Sequence, residues 1–383
     1  MEASSLPTDP PIWIDTAEAL QTLANDLLRE PHIGVDTEAN SLHAYREQVC
    51  LLQFSTPTAD YLVDPLALDD LSPLAPVFAS PHVEKIFHAA EYDILGLHRD
   101  FGFTFNNLFD TMVSARILGY EKVGLGALLE QHFGIRLAKR FQKADWGQRP
   151  LPPEMLDYAR LDTHFLIPLR NILYRQLEAK DLLPLAQEDF ARLTHPLEGT
   201  GRPPLWQRGG HHLTPQQTAV LEALWRYRES EAEHRDVPPF KILDDKTLVA
   251  LARALPRSRG DLQRVPGMSP GRIRRYGKRV LEVIKQGLNA PPQILQRPPR
   301  PDDAYLARLE ALRRWRQTAA KAMGVPSDVV LPKSHMQAIA AANPTTLDEL
   351  RPLMADIPWR FAKFGAEILQ VLAAANSTSS HGH

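Results

Sequence analysis

The stretch His32-Ile33-Gly34-Val35-Asp36-Thr37-Glu38-Ala39-Asn40 runs apolar residues into two carboxylates one residue apart. Alternate side chains of an extended strand share a face, so Asp36 and Glu38 point the same way. Like charges side by side on a partly buried strand repel each other and lose hydration, and a cation between them relieves both costs. Two more acids sit in informative contexts. Asp93 lies in Phe87-His88-Ala89-Ala90-Glu91-Tyr92-Asp93-Ile94-Leu95, where two alanines keep the backbone thin for a close approach. Asp162 follows Tyr158 by one helical turn, so phenol and carboxylate share a face. Brought to one point, four carboxylates pack together only around hard divalent cations. No His/Cys cluster favours Zn²⁺, so two Mg²⁺ or Mn²⁺ ions are expected. Such a pair, about 4 Å apart, serves phosphodiester hydrolysis: one ion activates water and the other stabilises the leaving 3′ oxygen. Tyr158 would orient or deprotonate that water, which a phenol of pKa about 10 can do only beside a cation.

These residues need a sheet with helices around it. Ile12-Trp13-Ile14 reads as a short strand, with Asp15 and Thr16 capping a helix that carries Leu20, Leu23, Leu27 and Leu28. After the acidic strand, Val49–Phe54 and Tyr61–Val63 are two more strand-length apolar runs, and the first strands are expected to form a meander. Val83–His88 reads as a strand leading into a helix at Glu91–His98. Leu108–Thr111 is expected to open a helix to Leu118, and Leu125–Phe133 to form another. Pro152-Pro153-Glu154 starts a helix expected to run past Asp162 and Leu169 toward Leu177. Strands first and helices after fit an α/β fold, a mixed sheet covered by helices.

Past a Gly/Pro-rich linker the chain repeats itself. Trp225-Arg226 and Trp315-Arg316 each head a helix, followed by Val237-Pro238 and Val325-Pro326. Leu248, Leu251, Pro256 and Leu262 recur at one constant offset as Met336, Ile339, Pro344 and Leu350. This reads as two copies of an all-α bundle of about 75–80 residues, a size that folds alone. The expected organisation is a catalytic domain at 12–190, a linker at 191–211, a first bundle at 212–290, a proline-rich spacer at 291–301, a second bundle at 302–375 and a disordered tail at 376–383.

At 383 residues, with 44% hydrophobic and 23% charged residues, the chain can bury a sizeable core. A net charge of −2 carries no global signal for nucleic acid, so any basic surface must be local. The single cysteine, Cys50, sits in an apolar run and suits a reducing cytoplasm. Met1–Pro11 lacks a signal-peptide pattern, and no apolar run approaches the roughly 20 residues of a membrane span. A cytoplasmic monomer is the expectation.

Together the acids and Tyr158 resemble the DEDD exonuclease superfamily. Its motifs are an Asp-x-Glu, a mid-domain Asp and a Tyr-x-x-x-Asp or His-x-x-x-x-Asp. The residue five before Asp162 is Asp157, not His, which places the chain in the tyrosine branch. Lys143-Ala144-Asp145-Trp146-Gly147-Gln148-Arg149-Pro150-Leu151, followed by Tyr158–Asp162, resembles ribonuclease D, as does Phe109-Asp110-Thr111 with Ala115. The repeats resemble HRDC domains, which accompany ribonuclease D and RecQ-type helicases. The resemblance spans Ile12 to Ala375. It implies a ribonuclease-H-like core and 3′→5′ exonuclease activity on RNA. Asp36, Glu38, Asp93 and Asp162 would be the metal ligands and Tyr158 would stand at the water. The RNA would be the 3′ end of a structured molecule such as a tRNA precursor, trimmed to nucleoside 5′-monophosphates. A Werner-type DNA exonuclease and a non-catalytic RNA-binding scaffold are the rival readings. Relatives often carry an aromatic after the Asp-x-Glu; here it is Ala39, which leaves stacking on the terminal base to Tyr45, Phe54 or another residue.

Lys139, Arg140, Lys143 and Arg149 cluster before the third motif and are candidates for phosphate contact. In the first repeat, Val265-Pro266-Gly267-Met268-Ser269-Pro270-Gly271 opens a basic helix whose N–H groups can hold a phosphate, with Arg272, Arg274, Arg275 and Lys278 beside it. The matching stretch of the second repeat lacks the glycine and most of the charge, so that repeat is expected to pack or space. Asp110 is expected to cap a helix, and His88 to be a buried, hydrogen-bonded histidine. For Trp146, core packing and bracing of the site mouth are equally open.

Overall fold

The computed structural model describes residues 7, 9–137, 140–194, 203–209, 212–295 and 301–379. Contacts divide the chain into two compact units. One comprises Met1–Glu38, Val49–Pro196 and Arg300–His383; the other comprises Ala39–Gln48 and Leu197–Pro299.

The first unit is built on a six-stranded mixed sheet in the order β1-β4-β3-β2-β5-β6. Its strands are β1 (Ile12–Ile14), β2 (His32–Ala39), β3 (Val49–Ser55), β4 (Asp60–Val63), β5 (Glu84–Phe87) and β6 (Leu108–Asp110). The expected meander holds for β2, β3 and β4 only. β1 pairs in parallel with the outer side of β4, because the chain reaches β2 by way of helix α1 (Ala17–Leu27). β3 is buried at every position, which is why Val49–Phe54, apolar at every position but Gln53, does not alternate. Leu108–Asp110 is a strand rather than the start of a helix: three buried residues pair in parallel with β5 before Asp110 caps α4 (Thr111–Ile117).

Helices α2 (Ala75–Ala79), α3 (Glu91–Phe101), α4 and α5 (Leu125–Phe133) precede the third motif. The single long helix expected from Pro152 to Leu177 is two, α6 (Pro153–His164) and α7 (Leu166–Ala179), broken at Phe165. Pro168 explains the break, since its missing N–H and its ring are incompatible with a helix running through from residue 164. α8 (Leu183–Leu193) follows. The region expected as a linker keeps helical structure at both ends, in the last turn of α8 and in α9 (Leu205–Gly209).

The two repeats have matching element order. The first has α10 (Pro215–His234), α11 (Pro239–Ile242), α12 (Asp245–Ala254), α13 (Arg259–Leu262) and α14 (Pro270–Asn289). The second has α15 (Asp303–Met323), α16 (Ser327–Val330), α17 (Lys333–Ala342), α18 (Leu347–Leu350) and α19 (Pro358–Ser379). The match extends to backbone detail. Leu255 and Asn343, equivalent residues ending α12 and α17, both adopt left-handed conformations, with φ of 48° and 50°. The tail expected to be disordered after Ala375 instead continues α19 to Ser379, with Asn376 Nδ2 donating to Asn343 Oδ1 at 3.0 Å.

The second repeat lies in the same unit as the sheet, in line with its expected packing role. Arg360, with 0% exposure, spans the joint. Its guanidinium pairs with Glu188 and with Asp189 (2.9 Å) of α8 and donates to the Val329 carbonyl at 2.9 Å. The Trp359 N–H donates to Glu188 Oε2 at 2.7 Å, and Arg192 meets Asp356 at 3.1 Å. Met323, Val325, Val329 and Trp359 join the apolar cluster of α4, α5, α7 and α8. Among the described residues, no helix is long and apolar enough to cross a membrane.

Candidate active site

The acidic site starts from β2. Gly34, Asp36 and Glu38 alternate along the strand and share one face. The glycine admits helix α6 to that face: a Cβ at Gly34 would stand 2.8 Å from the backbone carbonyl oxygen of Thr163. α6 is pinned to the sheet next to this contact. Buried Ser55 Oγ lies 2.7 Å from both Thr163 Oγ1 and Asp60 Oδ1, and His164 Nδ1 is 2.9 Å from Asp60 Oδ2. Asp162 and Tyr158 ride on this helix. Their phenol and carboxylate face the strand acids, while Phe141 and Trp146 pack on the Tyr158 ring at 5.7 and 6.2 Å. Trp146 is 1% exposed, so it is a core residue, and as one it also holds the phenol in place.

Asp93 arrives on α3. Its Oδ1 accepts from the Thr37 N–H at 3.1 Å and from the Thr37 hydroxyl at 2.5 Å, which ties α3 to the residue between the two strand acids. The turn before α3 is held from below. Asp110 caps α4 through Met112 and Val113, as expected, and its carboxylate also accepts from the N–H groups of Ala89 (3.2 Å) and Ala90 (2.7 Å). Ala89 has φ of 68°, so the thin residues there serve a left-handed turn. His88 is hydrogen-bonded to the Thr111 hydroxyl at 2.9 Å, and burial pushes it down to about 4, so it stays neutral.

The electrostatics place the four acids within reach of one another's charge. Burial raises Asp36 well above the usual carboxylate range, and Asp93, Asp162 and Glu38 raise it further. Burial and the charges of Asp162 and Asp93 push Glu38 up to about 9. Burial lifts Asp93 to about 7 against the two hydrogen bonds from Thr37, and burial with Asp93 lifts Asp162 to about 7. Tyr158 is raised by burial and then by Asp162, Glu38 and Asp36, so its phenol keeps its proton beside these carboxylates. Each shift has the sign that a shared cation would reverse. Among the described residues no three His, Cys, Asp or Glu groups are already drawn into a tight coordination shell. The acids stand within Coulombic reach of one another, and without a cation the cluster retains protons that a bound ion would displace. An all-oxygen set of four carboxyl groups fits hard divalent ions, which take carboxylates and water.

The candidate phosphate contacts fare unevenly. Lys139 lies outside the described residues. Arg140 is exposed, its guanidinium 5.0 Å from the Phe141 ring, and Lys143 is exposed. Arg149 is corrected: its five N–H donors go to Asp64 twice and to the carbonyls of Cys50, Trp146 and Gln148, which leaves none for a phosphate. In the first repeat, Arg274, Arg275 and Lys278 are exposed on α14. A cleft of about 420 Å³ opens at the start of that helix beside Lys241, Arg272, Arg274 and Arg275. Arg272 is partly committed, to Asp244 (3.1 Å) and the Gly267 carbonyl (2.9 Å). The two named stacking candidates differ. Phe54 is in the core with 0% exposure, and Tyr45 packs against the first bundle's apolar cluster.

Two residues of the site were not singled out from the sequence. Gly34 carried a signal, since a glycine inside a strand marks a close approach. Thr37 carried none, because its role depends on where α3 lies.

Family models for a 3′-5′ exonuclease match residues 11–178, and for an HRDC domain residues 217–284 and 305–372. Ribonuclease D of Acidiphilium cryptum is 30% identical over 386 residues, covering 97% of this chain and 95% of its own. The exosome complex exonuclease RRP6 of Saccharomyces cerevisiae is 30% identical over 303 residues, but this chain spans only 40% of its length. Its counterparts in Caenorhabditis elegans and Arabidopsis thaliana are likewise matched over well under half their length. Escherichia coli RNase D superposes with a TM-score of 0.67 over 91% of this chain and all of its own, at 23% identity, which speaks to the fold. The exonuclease match and the paired HRDC matches agree with the ribonuclease D relative matched along its whole length, and the chain belongs to the ribonuclease D family.

Proposed function

We propose that this protein is a 3′→5′ exoribonuclease that trims the ends of structured RNA, with precursor tRNA as its substrate and nucleoside 5′-monophosphates as products. The observation that carries this reading is the convergence of Asp36, Glu38, Asp93 and Asp162 with Tyr158: burial raises all five, and the charges of neighbouring site acids raise Asp36, Glu38, Asp162 and Tyr158 further. The family uses divalent metals, and the four carboxylates would hold two Mg²⁺ or Mn²⁺ ions. Bound there, the ions would lower the pKa of a water and neutralise charge on the leaving 3′ oxygen. The chain's own residues do the rest. Thr37 fixes one oxygen of Asp93 and leaves the other for a ligand. Tyr158, protonated and packed by Phe141 and Trp146, donates its hydroxyl hydrogen to orient the attacking water against the terminal phosphate.

The exposed cations of α14 and the cleft beside Lys241 would hold the phosphates of the RNA body, with the helix N-terminus adding to the field. E. coli RNase D is described as an exoribonuclease involved in structured RNA processing, which favours RNA over the DNA substrate of a Werner-type enzyme. The test is a Mn²⁺-dependent assay on a 3′-extended tRNA, with 5′ and 3′ end labels to show polarity. Asp36→Ala and Asp162→Ala should each abolish trimming while leaving RNA binding nearly intact. Retained trimming in either variant removes the metal assignment. Binding without cleavage in Mg²⁺ or Mn²⁺ by the wild type would favour the scaffold reading.

A further inference from the structure

The segment Asn40–Gln48 joins β2 to β3 and begins two residues after Glu38. It is closed at its base: Gln48 N–H donates to Asn40 Oδ1 at 2.9 Å and Asn40 N–H to the Gln48 carbonyl at 3.3 Å. The N–H groups of His43 and Ala44 donate to the Asn40 carbonyl at 2.8 and 3.1 Å. Although it interrupts the nuclease sequence, this loop belongs by its contacts to the unit of the first bundle. Tyr45 N–H donates to Asp236 Oδ1 at 3.1 Å, and the Tyr45 hydroxyl donates to Glu229 Oε2 at 3.5 Å. The Tyr45 ring sits on the bundle's apolar cluster, and Arg46 pairs with Glu233 at 3.4 Å. Asp236 lies just beyond α10 with φ of 46°, a left-handed position that Asp and Asn tolerate better than other side chains. The register of β2 with β5 covers only His32 to Gly34. Beyond Gly34 the stretch that bears Asp36 and Glu38 is held by its sheet neighbour β3, by the tie of Thr37 to Asp93, and by the loop that continues it into β3.

We propose that Tyr45 and Asp236 are positioning residues: the first bundle grips the Asn40–Gln48 loop and thereby holds the carboxyl end of β2, with Asp36 and Glu38, in its working geometry. This rests on reading those acids as the active site. It gives the first repeat a second task, steadying the catalytic strand.

The test uses the full chain and two readouts. Tyr45→Ala removes the ring and its hydroxyl. Asp236→Gly removes the acceptor while suiting the backbone conformation, and Asp236→Asn keeps both acceptor and conformation. Amide exchange in peptides covering 35–48 should quicken about fivefold in Asp236→Gly, the worth of one hydrogen bond, and more in Tyr45→Ala. Asp236→Asn should match the wild type, and peptides from β4 and α15 should stay unchanged in all three. On a single-stranded oligoribonucleotide with Mn²⁺, kcat should fall in the first two variants with KM little altered, and Asp236→Asn should restore it. Wild-type exchange at 35–39 in both Tyr45→Ala and Asp236→Gly overturns the proposal, and so does quickened exchange there with an undiminished kcat. A wild type inert on RNA would remove the nuclease reading alone, and the exchange data would still decide whether the bundle holds the strand.

Discussion

Gly34→Ala adds one methyl group to the interface that brings the two halves of the acidic site together. The new Cβ would lie 2.8 Å from the Thr163 carbonyl oxygen, 3.4 Å from Leu166 Cβ and 3.5 Å from the Thr163 carbonyl carbon. The first of these is backbone and cannot rotate away. Ordinary contact needs about 3.4 Å, so α6 must retreat by about 0.6 Å at the residue next to Asp162. Such overpacking in a buried interface costs about 1–3 kcal/mol of stability. The catalytic cost should be larger in proportion, since a 1 Å misplacement of a reacting group lowers rate by about 100-fold. A displacement of 0.6 Å therefore predicts a loss of roughly tenfold or more in kcat with Mn²⁺, with the protein still folded. The assay is single-turnover trimming of a labelled oligoribonucleotide beside a thermal melt. Gly34→Val, which adds two more methyl groups, should be worse in both readouts. A Gly34→Ala protein that melts lower but turns over like the wild type would refute the claim that this contact sets the site. Unchanged melting and unchanged turnover would refute the claim that the contact is tight.

Three further outcomes follow from the same geometry. Tyr158→Phe should cut kcat far more than RNA affinity, measured by single-turnover kinetics and direct binding; an unchanged rate would reduce the phenol to packing. Without divalent ions, the acids lifted to about 7 and about 9 hold protons that the unfolded chain releases near pH 4, so stability should fall as pH rises from about 4 to about 9. Melting in EDTA across that range should show the decline and saturating Mn²⁺ should remove most of it, whereas a flat metal-free profile would contradict the raised carboxyls. Arg360→Met leaves Glu188 and Asp189 without their buried counter-charge and should cost about 3–5 kcal/mol in chemical denaturation; a loss below about 1 kcal/mol would mean the second repeat is not locked to α8.

The sequence by itself determined the strand bearing Asp36 and Glu38, the helical spacing of Tyr158 and Asp162, and the cap at Asp110, because these depend on alternation, on the helical turn and on local hydrogen bonding. It also carried the repeat of the C-terminal bundles, to which the structure added the equivalent left-handed residues Leu255 and Asn343. Tertiary structure decided what depends on distant partners. β6 is a strand because β5 lies beside it, although its three residues lead straight into a helix. Arg149 looked like a phosphate contact by its neighbours in sequence, but Asp64 and three carbonyls absorb every donor it has. Nothing near Arg360 in sequence announces its burial, which Glu188 and Asp189 make possible, and Tyr45, a stacking candidate by sequence, packs on the first bundle. A residue's type and its near neighbours set what it can do, and burial, with the partners that only folding supplies, sets what it does.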